Sequence, residues 1–440
     1  MNRQACVVFA FLVMLTAMSI RGQTDKDAQT VTPVERRAGE VCAQFRAAPG
    51  DYEKLFAPDF LNKVPPSQLT PVFAQYFAQL GSCKKATLVK PDGSDSGEFE
   101  FIFEKGFSVP SKLSTDAAAP NLITSLWFGN PVSRSATLSA IGAELKAFPG
   151  ETGLLVARLN GESMTPLVTH NAERELAIGS TFKLYILSEL ANELSNNERK
   201  LSDVVKLDDR GVSLPSGMMQ SWPTGSPVTL HTLAALMISI SDNTAADQLL
   251  LALSRERVER MLRETGHAKP ELDMPFLSTL EMFKLKGEPT HKAADEYLAL
   301  DATGRRRFLM EKIAGVKRED TKPYPDGKPS YADRIEWFAS VTDLCQVMNW
   351  LRRQTETGAA APLRDILSIN PGSGLNVSRE RWRYIGFKGG SEPGVLNMTY
   401  LLQSTKGQWY AMSISWNNPQ AVVDNNKLFA LVQRALQIIE

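Results

Sequence analysis

The alternation of apolar and polar positions divides the chain into two parts. Three early stretches, Pro33 to Ala47, Tyr52 to Leu61 and Ser67 to Leu80, read as helical segments, with Pro49-Gly50 and Gly81 as the turns that end them. Four short runs follow as strand candidates: Ala86 to Val89, Phe99 to Phe103, Phe107 to Pro110 and Ile123 to Phe128. Helices followed by an antiparallel sheet predict an α+β layer over residues 33–130. Phe99, Phe101, Phe103 and Phe107 read as its core. Gly129-Asn130-Pro131 closes the last of these runs, and a boundary is expected between Asn130 and Thr137.

Beyond that boundary, a helix over about Leu138 to Phe148 leads to strands at Gly153 to Leu159 and Leu167 to His170, joined by a turn near Gly161. A long helical middle comes next. The chain then gives a helix at Ser340 to Arg353, strands near Tyr384 to Lys388, Leu396 to Ser404 and Trp409 to Trp416, and a closing helix over about Ala421 to Ile439. Period-two alternation through Gln408 to Ser415 supports the last strand. Lys284 to Tyr331, holding Glu288-Pro289 and the run Arg305-Arg306-Arg307, is a long polar stretch without a clear apolar period and reads as an insertion, its arginines as surface or structural groups.

Composition changes this picture little. With 440 residues, 43% of them hydrophobic and 22% charged, the chain has material for two or three packed domains. A formal net charge of zero argues against an electrostatic nucleic-acid binder. The first residues matter more: Asn2 and Arg3 precede an apolar run from Ala5 to Ile20, and polar Arg21-Gly22-Gln23 follows, as in a secretory signal peptide spanning residues 1–22. The expectation is a secreted or periplasmic protein with no stable membrane insertion after cleavage; an uncleaved anchor is the rival. Export permits disulfides, so Cys42 and Cys83 either pair or stay reduced and buried, while Cys345 reads as a packed, inert thiol. His170, His231, His267 and His291 show no metal-ligand spacing, so neither a metal nor another cofactor is expected.

The candidate chemistry lies in three short motifs. Ser180-Thr181-Phe182-Lys183 puts a hydroxyl and an amine one helical turn apart, and a desolvated lysine is one of the few side chains able to deprotonate a serine. Ser241-Asp242-Asn243 interrupts two apolar helical runs, either as a helix cap or as a site where Ser241 relays a proton and Asn243 holds a substrate amide while Asp242 turns inward. Lys388-Gly389-Gly390-Ser391 follows the apolar run Tyr384 to Phe387, and glycines there let a ligand approach the backbone closely.

In order and spacing these motifs resemble those of the penicillin-recognising serine hydrolases, the class A β-lactamases and their D-alanyl-D-alanine peptidase relatives. The resemblance covers residues 137–440 and implies a β-lactamase/transpeptidase-like domain with an antiparallel five-stranded sheet and a helical lobe, the catalytic groups lying where the two meet. It also implies roles. Ser180 would be the acylated nucleophile, Lys183 its base or proton relay, and Ser241 the donor to the leaving nitrogen. Asn243 would hold the acyl side-chain amide, Lys388 would attract the substrate carboxylate, and Gly390 and Ser391 would line the substrate, with the N–H groups of Ser180 and Ser391 forming an oxyanion hole. The substrate implied is a small molecule, a β-lactam or an acyl ester or peptide.

Two departures stand out. Gly389 replaces the usual hydroxyl residue of the third motif. No Glu-x-x-Leu-Asn follows the second motif, and the nearest candidate, Glu281, is either the water-activating carboxylate or the first-turn partner of Ser278 in a capping box. The first part, by its element order, resembles the cone-shaped fold of nuclear transport factor 2 and ketosteroid isomerase. Its pairing with a β-lactamase-like domain resembles a β-lactamase-like protein of clavulanic acid biosynthesis.

Overall fold

A computed structural model of the protein describes residues 31–287, 290, 292–372 and 380–439, so the apolar leader, Glu288-Pro289 and His291 lie outside the described residues. Among the described residues no helix is long and apolar enough to cross a membrane.

The molecule is a mixed α+β structure with two five-stranded sheets. Helix α1 (Pro33–Cys42) starts where Thr32 and Glu35 form a capping box, and it buries Val34, Ala38 and Val41 on one face. The helix expected over Tyr52 to Leu61 is instead two short ones, α2 (Tyr52–Leu55) and α3 (Pro58–Lys63). Between them Phe56 is extended and bridges Ile123, while the Ala57 N–H donates to the Ile123 carbonyl at 2.9 Å. Burying Phe56 against the sheet outweighed continuing the helix, and Pro58 restarts it.

Helix α4 (Pro66–Leu80) leads to strands β1 (Cys83–Pro91), β2 (Ser96–Phe103), β3 (Phe107–Thr115) and β4 (Ile123–Phe128), paired antiparallel in that order. All four strand candidates are present, three of them longer than the apolar run that signalled them. Phe99, Phe101, Phe103 and Phe107 are buried, and Phe45 meets Phe73 and Phe103 edge-on, each with ring centroids 4.9 Å apart. A Cys42–Cys83 disulfide, with 5.3 Å between the Cα atoms, ties α1 to β1.

The expected boundary contains structure: β5 (Val132–Ser133) pairs with β3, so the connection is stitched into the first sheet. Helix α5 (Leu138–Lys146) then precedes β6 (Glu151–Asn160) and β7 (Ser163–His170). Two minor ladders pair β8 (Leu176–Ala177) with β11 (Phe338–Ala339) and β9 (Val204–Lys206) with β10 (Pro227–Thr229). The main sheet runs β12 (Trp382–Glu392), β13 (Val395–Ser404), β14 (Trp409–Asn417), β6, β7, antiparallel throughout.

One face of that sheet packs under α5 and α15 (Asn425–Ile438). The other packs on the helical lobe of α6 (Lys183–Ser195), α7 (Leu230–Ser239), α8 (Asn243–Leu253), α9 (Arg255–Glu264), α10 (Thr279–Gly287), α13 (Val341–Gln354) and α14 (Pro362–Ser368). Strand β13 is therefore a nearly continuous buried run, as a doubly covered strand should be. Ala430 of α15 joins the core of the first sheet.

The polar stretch after α10 is more ordered than its composition suggests. It contains α11 (Lys292–Leu298) and α12 (Ala302–Phe308), and Ala294, Tyr297, Leu309 and Ile313 join the lobe's core. Helices of two turns are too short to show a period. Arg305 lies over the Tyr297 ring and Arg306 pairs with Glu256 and Glu259, so these arginines fasten the segment down.

Candidate active site

The three motifs converge on one cavity of about 630 Å³, lined by Gly179, Ser180, Ser241, Asn243, Gly389 and Ser391 among others. Ser180 sits on a single 3₁₀ turn, Gly179–Phe182, that runs into α6. Gly179 has φ +48°, and the backbone of Gly390-Ser391 on β12 lies against it: a Cβ on Gly179 would stand 2.9 Å from the Ser391 nitrogen. A Cβ on Gly390 would in turn stand 2.6 Å from the Ser180 nitrogen and 2.7 Å from that of Thr181. Glycine at both places lets the strand and the turn touch, bringing the backbone nitrogens of Ser180 and Ser391 close together.

Lys183, one turn beyond Ser180, is fully buried. Its Nζ lies 3.2 Å from Ser180 Oγ, 3.2 Å from Ser241 Oγ, 2.7 Å from the Ser241 carbonyl and 2.7 Å from Asn243 Oδ1. Burial, and after it the nearby Lys388, hold this amine well below the ordinary lysine range. Lys388 Nζ reaches Ser241 Oγ from the other side at 3.0 Å and donates to the Gly389 carbonyl at 2.6 Å. Burial pulls it down to about 7.

Ser241 holds a left-handed backbone, φ +58°, an uncommon conformation for serine. What fixes it is visible next door. Asp242 Oδ1 accepts from the Ala245 N–H at 2.9 Å, capping α8, while Oδ2 accepts from the Met218 and Met219 N–H groups at 2.6 and 2.9 Å. Ser216 Oγ donates to the Ser241 carbonyl at 2.7 Å. Cap and site are therefore the same tripeptide. Asn243 spends its carbonyl on Lys183 and one N–H on the Leu214 carbonyl at 3.1 Å, leaving its second N–H for another acceptor.

Glu281 is not brought to this cluster. Its Oε1 accepts from Arg255 at 2.7 Å and its Oε2 from the Ser278 N–H at 2.8 Å, while the Glu281 N–H donates to Ser278 Oγ at 3.1 Å. This is the capping-box alternative, closed by an ion pair, and Glu281 is not among the residues lining the cavity. Thr279 is, and its Oγ1 lies 2.9 Å from Asp247 Oδ2.

Two clusters went unseen in the sequence. Thr279 and Asp247 form one; the only trace was Asp247 standing one turn after Asn243. The other lies where β12 leaves the site: Lys286 bridges Glu336 at 3.1 Å and Glu392 at 2.7 Å, all three buried or nearly so, and the Tyr324 hydroxyl donates to Glu392. Tyr324, Glu336 and Glu392 line the cavity. Away from it, Glu175, His267 and Asp343 offer ligand atoms within 4.8 Å of one another. His267 Nδ1 accepts from the Lys269 N–H, and the Asp343 carboxylate accepts from Ala268 and Ser340.

Residues 135–311 match the model of the Beta-lactamase enzyme family, consistent with the penicillin-recognising serine hydrolases. No curated protein sequence matches the chain. Among solved structures, a beta-lactamase from Sphaerobacter thermophilus is 18% identical, with 68% of this chain and 94% of that one covered and a TM-score of 0.46. A single-residue mutant of PBP-A, in an acyl-enzyme complex with penicillin G, is 16% identical, with 68% and 96% covered and a TM-score of 0.47. A beta-lactamase from Chitinophaga pinensis is 15% identical, with 68% and 95% covered and a TM-score of 0.43.

Proposed function

We propose that this protein, whose residues 135–311 match the β-lactamase family, is an exported serine hydrolase that opens β-lactam rings through an acyl-enzyme on Ser180. The observation that carries the reading is the position of Lys183 Nζ, 3.2 Å from the hydroxyls of both Ser180 and Ser241. A neutral amine there takes the Ser180 proton as Oγ attacks the lactam carbonyl. The oxyanion forms against the Ser180 and Ser391 N–H groups, which need no reorganisation to receive it. As the C–N bond breaks, Ser241 hands its proton to the ring nitrogen and is refilled from Lys183. Lys388 attracts the substrate carboxylate, and the free N–H of Asn243 meets the acyl amide.

In the same reading the first 22 residues are a signal peptide and the product is a secreted or periplasmic protein that removes β-lactam antibiotics. The first part, residues 33–130, is then a nuclear transport factor 2-like domain joined to the hydrolase domain, 137–440. Hydrolysis of nitrocefin by purified protein tests the activity. Turnover by the wild type that is lost in Ser180→Ala supports it; equal, buffer-level rates in both remove it.

A second reading is favoured by the engagement of Glu281 with Arg255 and Ser278. Without that carboxylate the acyl-enzyme persists, as suits a D,D-peptidase or esterase acting on other acyl donors, or a β-lactam receptor that does not turn over. Intact-protein mass after penicillin exposure separates the two: a stable adduct on Ser180 selects this reading, rapid release with product the first.

A further inference from the structure

We propose that the Thr279 hydroxyl and the Asp247 carboxylate form a proton relay that activates the water releasing the acyl group from Ser180. This rests on the acyl-enzyme reading above. Thr279 lines the cavity together with Ser180 and Asn243, at the start of α10. Its Oγ1 stands 2.9 Å from Asp247 Oδ2 and 2.6 Å from Ser213 Oγ. A hydroxyl has one proton and two acceptor sites. With its proton given to Asp247 and one lone pair taken by Ser213, Thr279 keeps one lone pair for a water in the cavity.

Asp247 is fully buried on α8, and its charge is felt by Lys183. Burial, partly offset by the hydrogen bonds from Thr279 and Leu280, raises it to about 7, a value suited to borrowing a proton near neutrality. Water oxygen bonds to the ester carbonyl carbon, its proton passes to Thr279 Oγ1, and the Thr279 proton passes to Asp247 Oδ2. When the bond from the carbonyl carbon to Ser180 Oγ breaks, the borrowed proton returns through Thr279, cavity water and Lys183 to the Ser180 oxygen. One water is consumed, and a carboxylic acid and the free serine are left.

Asp247 also accepts the N–H groups of Thr279 and Leu280 at 2.8 and 3.0 Å, so it fastens the start of α10 as well. Thr279→Val removes the hydroxyl and keeps both of those bonds. A fluorescent penicillin, followed by gel and by intact mass, reports labelling and release separately. The relay predicts that Thr279→Val is labelled at the wild-type rate but releases the label about 100-fold more slowly. Asp247→Asn should likewise release the label slowly, and Thr279→Ser should recover most of the wild-type release rate. Release from Thr279→Val at the wild-type rate overturns the relay, as does a wild-type adduct that never releases. If the wild type is not labelled at Ser180 at all, the acyl-enzyme reading itself has failed, which is a different result.

Discussion

Lys183 and Lys388 reach the same hydroxyl, Ser241 Oγ, at 3.2 and 3.0 Å, and both are buried. Two ammonium groups that close, away from water, disfavour each other's charge. The arrangement of lowest cost leaves Lys183 neutral, as the base proposed above must be, and lets Lys388 carry what charge the pocket holds.

That arrangement has a signature in stability. The unfolded chain protonates Lys183 near 10.5, whereas the folded one does so only well below that value, so over this window the unfolded state binds more protons. Stability is therefore lowest at the acid end of the window and gains with rising pH, by up to about 1.4 kcal/mol per pH unit. In Lys183→Met the share of this gain due to Lys183 disappears, and the share due to Lys388, whose amine burial also holds down, remains. Urea denaturation of both proteins between about pH 7 and 9.5 checks it, and the same variant should acylate roughly 10²–10⁴-fold more slowly.

Lys388 gives a second signature. Its amine loses its charge above about 7, so kcat/KM for a β-lactam bearing a carboxylate should decline above that pH, toward about tenfold per unit. A carboxylate-esterified analogue has no anion to attract and should lack this limb. Steady-state profiles of the two compounds decide the matter; identical alkaline limbs would assign the group to something other than carboxylate binding.

Gly390→Ala should slow acylation strongly while leaving most of the fold intact. The added methyl would press on the Ile178 carbonyl and stand 2.6 Å from the Ser180 nitrogen, so β12 or the serine turn must move and the proposed oxyanion corner opens. A loss of roughly 10²-fold or more in kcat is expected, with about 1–3 kcal/mol of destabilisation. Nitrocefin kinetics and a melting curve read both.

Lys286→Met strips the cation from between Glu336 and Glu392. Burial first, and Glu336 second, already push the Glu392 carboxyl well above the usual carboxylate range, and the loss of Lys286 leaves two buried acids with no counter-charge. The expected cost is about 3–5 kcal/mol at neutral pH, measured by chemical denaturation. Because an isolated buried acid is stable only when protonated, the variant should lose less relative to the wild type near about pH 5 than at about pH 8.

The sequence made visible what depends on local spacing. Ser180 and Lys183 share a helix face by arithmetic, and Asp242 caps a helix at the point where a polar tripeptide breaks two apolar runs, so both were readable. What escaped depends on pairing across long separations. Phe56 breaks a helix because Ile123 waits for it 67 positions later, and Lys286 is neutralised by Glu392, 106 positions away. Glu281 shows the limit from the other side: its capping-box spacing was legible, but the Arg255 that completes its engagement lies on another helix. The polar insertion misled for a related reason, since two-turn helices anchored by Tyr297 and Ile313 carry too few apolar positions to announce themselves.

Helix α15 lies under the main sheet yet sends Ala430 into the hydrophobic centre built by Val34, Phe73 and Phe101. During synthesis the opening segment thus emerges hundreds of residues before the methyl group that completes its interior. Until the ribosome delivers that group, the first layer lacks one of the buried neighbours of its interior.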